Sequence, residues 1–232
     1  MLKNHRMTFI PFEYNTGQFN MDYDEKLLND AISQDLQYPI FRLYGWKPAC
    51  VSLGRNQGQE FLDKNLICKK NLDVVTRLTG GRALLHDKEV TYSIVCPQKF
   101  LQNGQSVMSS YKEISQILIE AFLELGISLT LGGDSVHTKH DYCMLVSTGA
   151  DLNYNGKKLV GSAQCRKKGY ILQHGSILFD YDKNLLEEVF LEQVDKSTIT
   201  TVKEILPFIT IEEFALRFQE AICVALDRLY QS

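Results

Sequence analysis

Three short segments of the chain combine residue types that could bind or react with a small ligand. The first runs from Arg77 to Ala83 and is followed by His86. Its paired glycines, Gly80 and Gly81, let the backbone approach a ligand closely or take a positive φ, and the flanking arginines can engage an anion. A plain turn between strands is commoner on spacing alone, because the spacing fits neither a P-loop nor a dinucleotide-binding fingerprint.

The second segment, residues 151–164, reads DLNYNGKKLVGSAQ. Strand alternation from Lys158 puts Ser162 on the same face and Gly161 and Ala163 on the other, where their small side chains leave room for a substrate beside the sheet. A lysine on the face with Ser162 could polarise a carbonyl or lower a neighbouring pKa. A solvated hairpin lysine is the alternative, since most lysines are exposed.

The third segment places His174, followed by Gly175, in an otherwise apolar strand over 171–179. This histidine could orient a substrate or hydrogen-bond a loop, and a purely structural histidine is an equally common outcome.

Two other chemistries have less support. His137, His140 and Cys143 follow one another at intervals of three and carry donor atoms that suit zinc. Only three such residues are local, so we do not expect a metal site. The nucleophile pattern GxSxG of serine hydrolases is absent from the sequence.

Helical periodicity predicts the helices that flank these segments. One helix is expected after Asn20 as its N-cap, with Asp22 and Asp24 in its first turn. A second is expected over 111–125, and a third after Thr210, which begins a capping-box pattern.

Strand patterns predict the sheet. Asn155-Gly156 is the pair that a type I′ turn favours most, and a second hairpin is expected to turn at 167–169. Runs rich in β-branched residues predict further strands at 40–44, 49–53, 73–78 and 90–96. We therefore expect an α+β (α/β) fold with a mixed, mostly antiparallel β-sheet flanked by helices.

Composition narrows the class of protein. The chain has 232 residues, with 25 basic and 28 acidic side chains and a formal charge of −3, so a general nucleic-acid binder is not expected. No stretch resembles a membrane span or a secretory signal, which predicts a cytoplasmic protein without membrane association.

The six cysteines form no CxxC pair and are expected to be reduced. No repeat or linker divides the chain, which predicts a single domain over 1–232.

Four motifs in a fixed order resemble the biotin/lipoate protein ligase superfamily. They are RLYGWKPACVSLGRNQ (42–57), RLTGGRALLHDKEVTYS (77–93), GKKLVGSAQ (156–164) and ILQHGSIL (171–178). The resemblance spans about residues 20–180 and implies a catalytic domain with a mixed sheet flanked by helices. It also implies lipoyl-type chemistry, because the adenylate loop of biotin ligases is missing. No separate C-terminal accessory domain is expected.

Within that superfamily, the TGGRA form is similar to the cysteine-dependent octanoyltransferases. Cys143, thirteen residues before Gly156, occupies the position of their nucleophile, although Met144 stands where they usually have an aromatic residue. The resemblance implies transfer of octanoyl from octanoyl-acyl carrier protein, through a Cys143 thioester, to the lysine of a lipoyl domain such as glycine cleavage H protein. No cofactor is implied, and Lys158 would stabilise the thiolate and the oxyanion.

The resemblance further implies which residues line the acyl site: Arg77, Thr79, Gly80, Gly81 and His86 on one wall, and Ser162, Ala163, His174 and Gly175 on the other. The basic residues Arg166–Lys168 are expected to help dock the acidic carrier, and a solvated turn is the alternative. Three rivals stay open: an ATP-dependent lipoate–protein ligase, an octanoyl amidotransferase between lipoyl domains, and a non-catalytic binder of lipoyl domains or acyl carriers.

Overall fold

Helices and strands alternate along the chain in a mixed α+β order. The structure is a computed structural model that describes residues 7–132, 151–191 and 193–230. Its elements are β1 (Thr8–Asn15), α1 (Gly17–Ser33), β2 (Ile40–Trp46), β3 (Cys50–Leu53), α2 (Lys64–Lys69), β4 (Asp73–Thr76), β5 (Leu84–His86), β6 (Glu89–Pro97), α3 (Val107–Glu124), β7 (Thr130–Leu131), β8 (Leu152–Tyr154), β9 (Lys157–Lys167), β10 (Tyr170–Leu178), α4 (Lys183–Phe190), α5 (Val202–Ile205) and α6 (Ile211–Tyr230).

The strands form two sheets. The larger has the order β1-β2-β6-β10-β9-β8-β7, in which β1 and β2 are parallel and the other neighbours are antiparallel. The smaller has the order β4-β3-β5. Every residue of β6 and β10 is buried, the polar side chains included. The predicted mixed, mostly antiparallel sheet flanked by helices is confirmed.

The helices cover the larger sheet. The apolar faces of α3 and α6 meet over the main core, where Phe122 packs against Phe214 and Phe218. Leu27 and Leu28 of α1 pack with Val95 and Leu172 in a separate cluster. Among the described residues, no helix is both long enough and apolar enough to cross a membrane.

Both hairpin turns were predicted correctly. Asn155 and Gly156 have φ values of 49° and 79°, and Lys168 and Gly169 have values of 48° and 80°. Thr210 also caps α6 as predicted, because its hydroxyl accepts a hydrogen bond from the Glu213 amide at 3.1 Å.

The predicted N-cap of the first helix was wrong. The helix begins at Gly17, and Thr16 caps it by accepting a hydrogen bond from the Phe19 amide. Asn20 instead lies inside the helix, where its side chain is buried and donates to the carbonyl oxygen of Gly45 at 3.1 Å. Asn20 and the buried Asp24 therefore serve tertiary contacts, which local capping statistics do not register.

Candidate active site

A cleft between residues of the two sheets brings the three candidate segments together. One wall comes from α1, β5 and the loop that follows β4, and the other wall comes from β2, β6, β10 and β9 of the larger sheet. Its lining residues are Met21, Tyr44, Trp46, Arg77, Gly80, Gly81, Arg82, Leu84, His86, Thr91, Gly161, Ser162, Ala163, His174, Gly175 and Ser176. Small residues and aromatic rings dominate this surface, which suits an apolar chain with a few fixed polar groups.

The predicted site residues fall into three groups: those that line the cleft, those that are buried elsewhere, and those outside the described residues. Eight of them line the cleft: Arg77, Gly80, Gly81, His86, Ser162, Ala163, His174 and Gly175. Thr79 is fully buried and contacts His174. Lys158 is buried on β9, and Cys143 lies outside the described residues, as do His137 and His140. Within the described ranges, no cluster of His, Cys, Asp and Glu side chains could hold a metal ion.

The backbone of β10 approaches β9 closely at Gly175. A Cβ atom at this position would lie 2.5 Å from the carbonyl oxygen of Gly161 and 2.6 Å from the ring of Tyr92. Only glycine fits there without movement of the strand. In contrast, a Cβ atom at Gly80 would meet nothing within 4 Å, because this residue faces open space.

His174 belongs to a buried polar cluster with Asp24 of α1. Its Nδ1 lies 3.2 Å from Oδ2 of Asp24, and its Nε2 lies 2.8 Å from the hydroxyl of Thr79. Arg42 and Tyr44 also donate to the Asp24 carboxylate, at 3.0 and 2.9 Å. Burial alone would raise the pKa of Asp24, but the hydrogen bond and charge of His174, together with Arg42, hold it below its usual range.

His86 is the centre of a second cluster. Its Nδ1 lies 2.8 Å from Oε1 of Glu89, and its Nε2 lies 2.6 Å from the Ser52 hydroxyl. Burial lowers the pKa of His86 more than the neighbouring carboxylate raises it. Trp46 stacks on this ring with centroids 3.9 Å apart. The tryptophan thus lines the cleft and holds His86 in place.

Arg77 links the second cluster to the glycine loop. Its guanidinium donates to the hydroxyl and carbonyl oxygens of Ser52 at 2.6 and 2.7 Å, and to the carbonyl oxygens of Gly80 and Arg82 at 3.2 and 2.9 Å. Its hydrogen bonds fix the path of the loop. With Thr79 held by His174, the loop is anchored at two points, which preorganises the wall of the cleft.

The opposite wall rests on a polar chain that begins at Ser162. The hydroxyls of Ser162 and Tyr92 lie 2.7 Å apart, and the Gln173 amide donates to Tyr92 at 2.9 Å. Gln164 donates to Gln173 and accepts from Arg166 at 3.0 Å. Arg166 also donates to the backbone carbonyl oxygens of Gln105 and Ser106, so its guanidinium links β9 to the loop just before α3.

Lys158 is not the solvated hairpin lysine that the sequence left open. Its side chain is 2% exposed, and its Nζ lies 3.0 Å from Oδ2 of Asp151. The Gly132 amide donates to the Asp151 carbonyl oxygen at 2.7 Å, so the chain on either side of residues 133–150 meets beside this ion pair. Ser52, Glu89 and Asp24 were not predicted as site residues, and Asp151 was given no role, because a sequence pattern does not show which polar groups will pair.

Comparisons with known proteins show which family this chain belongs to. The model of the family described as "Lipoyl protein ligase A/B catalytic domain" matches residues 16–223. The octanoyltransferase LipM of Macrococcus caseolyticus is 39% identical over 194 residues, which cover 79% of this chain and 69% of the relative. The octanoyltransferase LipM of Staphylococcus aureus is 37% identical over 190 residues, covering 76% and 68%.

A solved structure shares the fold. The protein Ta0514 of T. acidophilum, described as a putative lipoate protein ligase, superimposes with a TM-score of 0.74 over 96% of this chain and 84% of its own. Its sequence identity is 20%, so this likeness extends to the fold alone.

Proposed function

Since this chain belongs to the lipoyl protein ligase A/B catalytic domain family, we propose that it is an octanoyltransferase of lipoate biosynthesis. The donor is octanoyl-acyl carrier protein, and the acceptor is the lysine of a lipoyl domain such as glycine cleavage H protein. The observation that carries this proposal is the 39% identity to an octanoyltransferase, over 69% of that protein's length. The cleft supports the proposal, because its mostly apolar lining would suit an acyl chain.

The first half of the reaction moves the acyl group to the enzyme. The Cys143 thiolate attacks the thioester carbonyl carbon of the donor, and the tetrahedral intermediate collapses when the carbon–sulfur bond to the carrier's thiol breaks. The carrier leaves as a thiolate, and the octanoyl group stays on Cys143 as a new thioester. Both thioesters have similar energies, so the step needs no nucleotide.

The second half forms the product. The neutral amine of the acceptor lysine attacks the Cys143 thioester, the carbon–sulfur bond breaks, and the amine loses a proton as the amide forms. Cys143 is released as a thiol and is ready for another cycle. The ammonium of Lys158 would stabilise the thiolate and the oxyanion of each tetrahedral intermediate.

The other cysteines are poor candidates for the nucleophile, because thiolate is the reacting form. Burial raises the pKa of four described thiols: Cys50, Cys96, Cys165 and Cys223. The exposed Cys68 is on α2 and does not line the cleft. The assignment of Cys143 rests on its position relative to the GKK hairpin.

A transfer assay tests the function. Octanoyl-acyl carrier protein and a lipoyl domain are mixed with the enzyme without nucleotide, and the acceptor is followed by mass spectrometry. The proposal predicts octanoylated acceptor with wild type and with Cys68→Ser, and none with Cys143→Ser. Modification that requires ATP and free acid, and that survives Cys143→Ser, would identify a lipoate ligase instead. Transfer from one octanoylated lipoyl domain to another, without use of the carrier, would identify an amidotransferase.

A further inference from the structure

Lys158 and Asp151 form an ion pair that is almost completely removed from water. Nζ and Oδ2 are 3.0 Å apart, and the two side chains are 2% and 3% exposed. A charge at such depth is stable only when it is paired and hydrogen-bonded, and removal of one partner leaves the other uncompensated. A substitution of either residue therefore also affects the other.

The backbone fixes Lys158 from both sides. Towards β8, the register shifts so that Lys158 faces Asn153 while Val160 faces Leu152, which leaves Leu159 as the extra residue of a bulge. On the other side, the Lys158 amide donates to Thr198, and its carbonyl oxygen accepts from Thr200, both at 2.9 Å. A bulge redirects side chains and is a common device beside active sites.

The bulge places the pair on the cleft side of β9. Because of the bulge, Lys158 lies on the face of β9 opposite Val160, which is the face of Gly161 and Ala163. Both of these residues line the cleft, and Gly161 is three residues, about 10 Å, along the strand from Lys158. The pair also adjoins the hydrogen bond between Gly132 and Asp151, where the two flanks of residues 133–150 meet.

We propose that Asp151 is a positioning residue: its carboxylate aims the Lys158 side chain and holds its charged end in one place. This inference rests on the proposed function. Without the carboxylate, the buried Lys158 side chain would lose its partner and its fixed direction. A fixed ammonium suits the stabilisation of a thiolate and an oxyanion, because both are negative.

A double-mutant cycle tests whether Asp151 acts through Lys158. The variants are Asp151→Asn, Lys158→Met and the double variant, with Asp151→Glu as the conservative change. Single-turnover acylation by octanoyl-acyl carrier protein gives a maximum rate and a half-saturating donor concentration for each. Thermal unfolding and circular dichroism report on folding, and the double variant is expected to fold well because it has neither charge of the pair.

Asp151→Asn should lower the maximum rate by about 10²-fold with little change in the half-saturating concentration, as misplacement of a catalytic group does. Asp151→Glu should recover part of the rate. In the Lys158→Met background, Asp151→Asn should have no further effect, because the group it positions is gone. The inference is wrong if the two effects multiply, or if Asp151→Asn acylates at the wild-type rate. Failure of wild type itself to acylate would instead overturn the proposed function.

Discussion

His174 Nδ1 lies 3.2 Å from Oδ2 of Asp24, although 150 positions separate the two residues in the sequence. This contact joins the first helix to the central strand of the sheet, and Thr79 extends it to the glycine loop at 2.8 Å. The shape of the cleft therefore depends on a carboxylate that does not itself line it.

Removal of the Asp24 charge should destabilise the protein. In Asp24→Asn, the buried guanidinium of Arg42 loses its carboxylate partner, which typically costs about 3–5 kcal/mol. The free energy of unfolding in urea measures the loss. Asp22→Asn is the matched control, since Asp22 is exposed on the same helix. Equal stability of the two variants would show that the cluster has no structural importance.

Acid should destabilise the protein, in part through His86. Burial lowers the pKa of His86, so an unfolded chain takes up a proton near pH 6.5, roughly its ordinary value, before the folded chain does. Stability should thus fall as the pH is lowered from 7 to 5. Unfolding in urea across that range should show a shallower decline for His86→Gln. A decline as steep as that of wild type would contradict this origin.

A further loss of stability is expected below pH 4, roughly the ordinary pKa of a carboxyl group. The pKa values of Asp24 and Glu89 lie below their usual range, because the hydrogen bonds and charges of their neighbours outweigh the effect of burial. The stability that both carboxylates contribute is complete above the unfolded pKa and is lost as the pH falls through the folded value. The loss of stability below pH 4 should be smaller in Asp24→Asn than in wild type, and an equal loss in the two proteins would contradict this origin.

Two glycines of the cleft should respond differently to alanine. Gly175→Ala places a methyl group against the Gly161 carbonyl oxygen and the Tyr92 ring, and overpacking of this kind costs about 1–3 kcal/mol. Gly80→Ala adds a methyl group where nothing lies within 4 Å, so its stability should stay within about 0.5 kcal/mol of wild type. Thermal unfolding distinguishes them. Equal stability of the two variants would show that β9 and β10 separate easily at this point.

The carrier-docking hypothesis now depends chiefly on Lys168, since the guanidinium of Arg166 is hydrogen-bonded within the chain and Lys167 donates to the Asn29 side chain at 2.8 Å. Both lysines are exposed at the second hairpin. Lys168→Glu should raise the KM for octanoyl-acyl carrier protein, and the wild-type KM should rise with salt. Lys64→Glu, an exposed site on α2, is the control. Salt-independent kinetics with an unchanged KM would refute this hypothesis.

Local chemistry made part of the fold predictable. The Asn155-Gly156 turn follows from the positive φ that these residues tolerate. The residue types around Gly80 and His174 marked both segments as candidates, and the structure brings these segments together in one cleft. The ion pair of Asp151 with Lys158, and that of Asp24 with Arg42, could not be predicted, because strand order and a bulge determine them. Periodicity describes which face of an element is apolar, and it carries no information on which distant polar group will lie opposite.

The intact mass of the enzyme after incubation with octanoyl-acyl carrier protein alone tests directly whether the Cys143 thioester forms. We predict a mass increase of one octanoyl group, removed by hydroxylamine, mapped by peptide analysis to Cys143 and absent from Cys143→Ser. An unmodified enzyme under these conditions, together with transfer to the lipoyl domain that proceeds only with ATP, would contradict it.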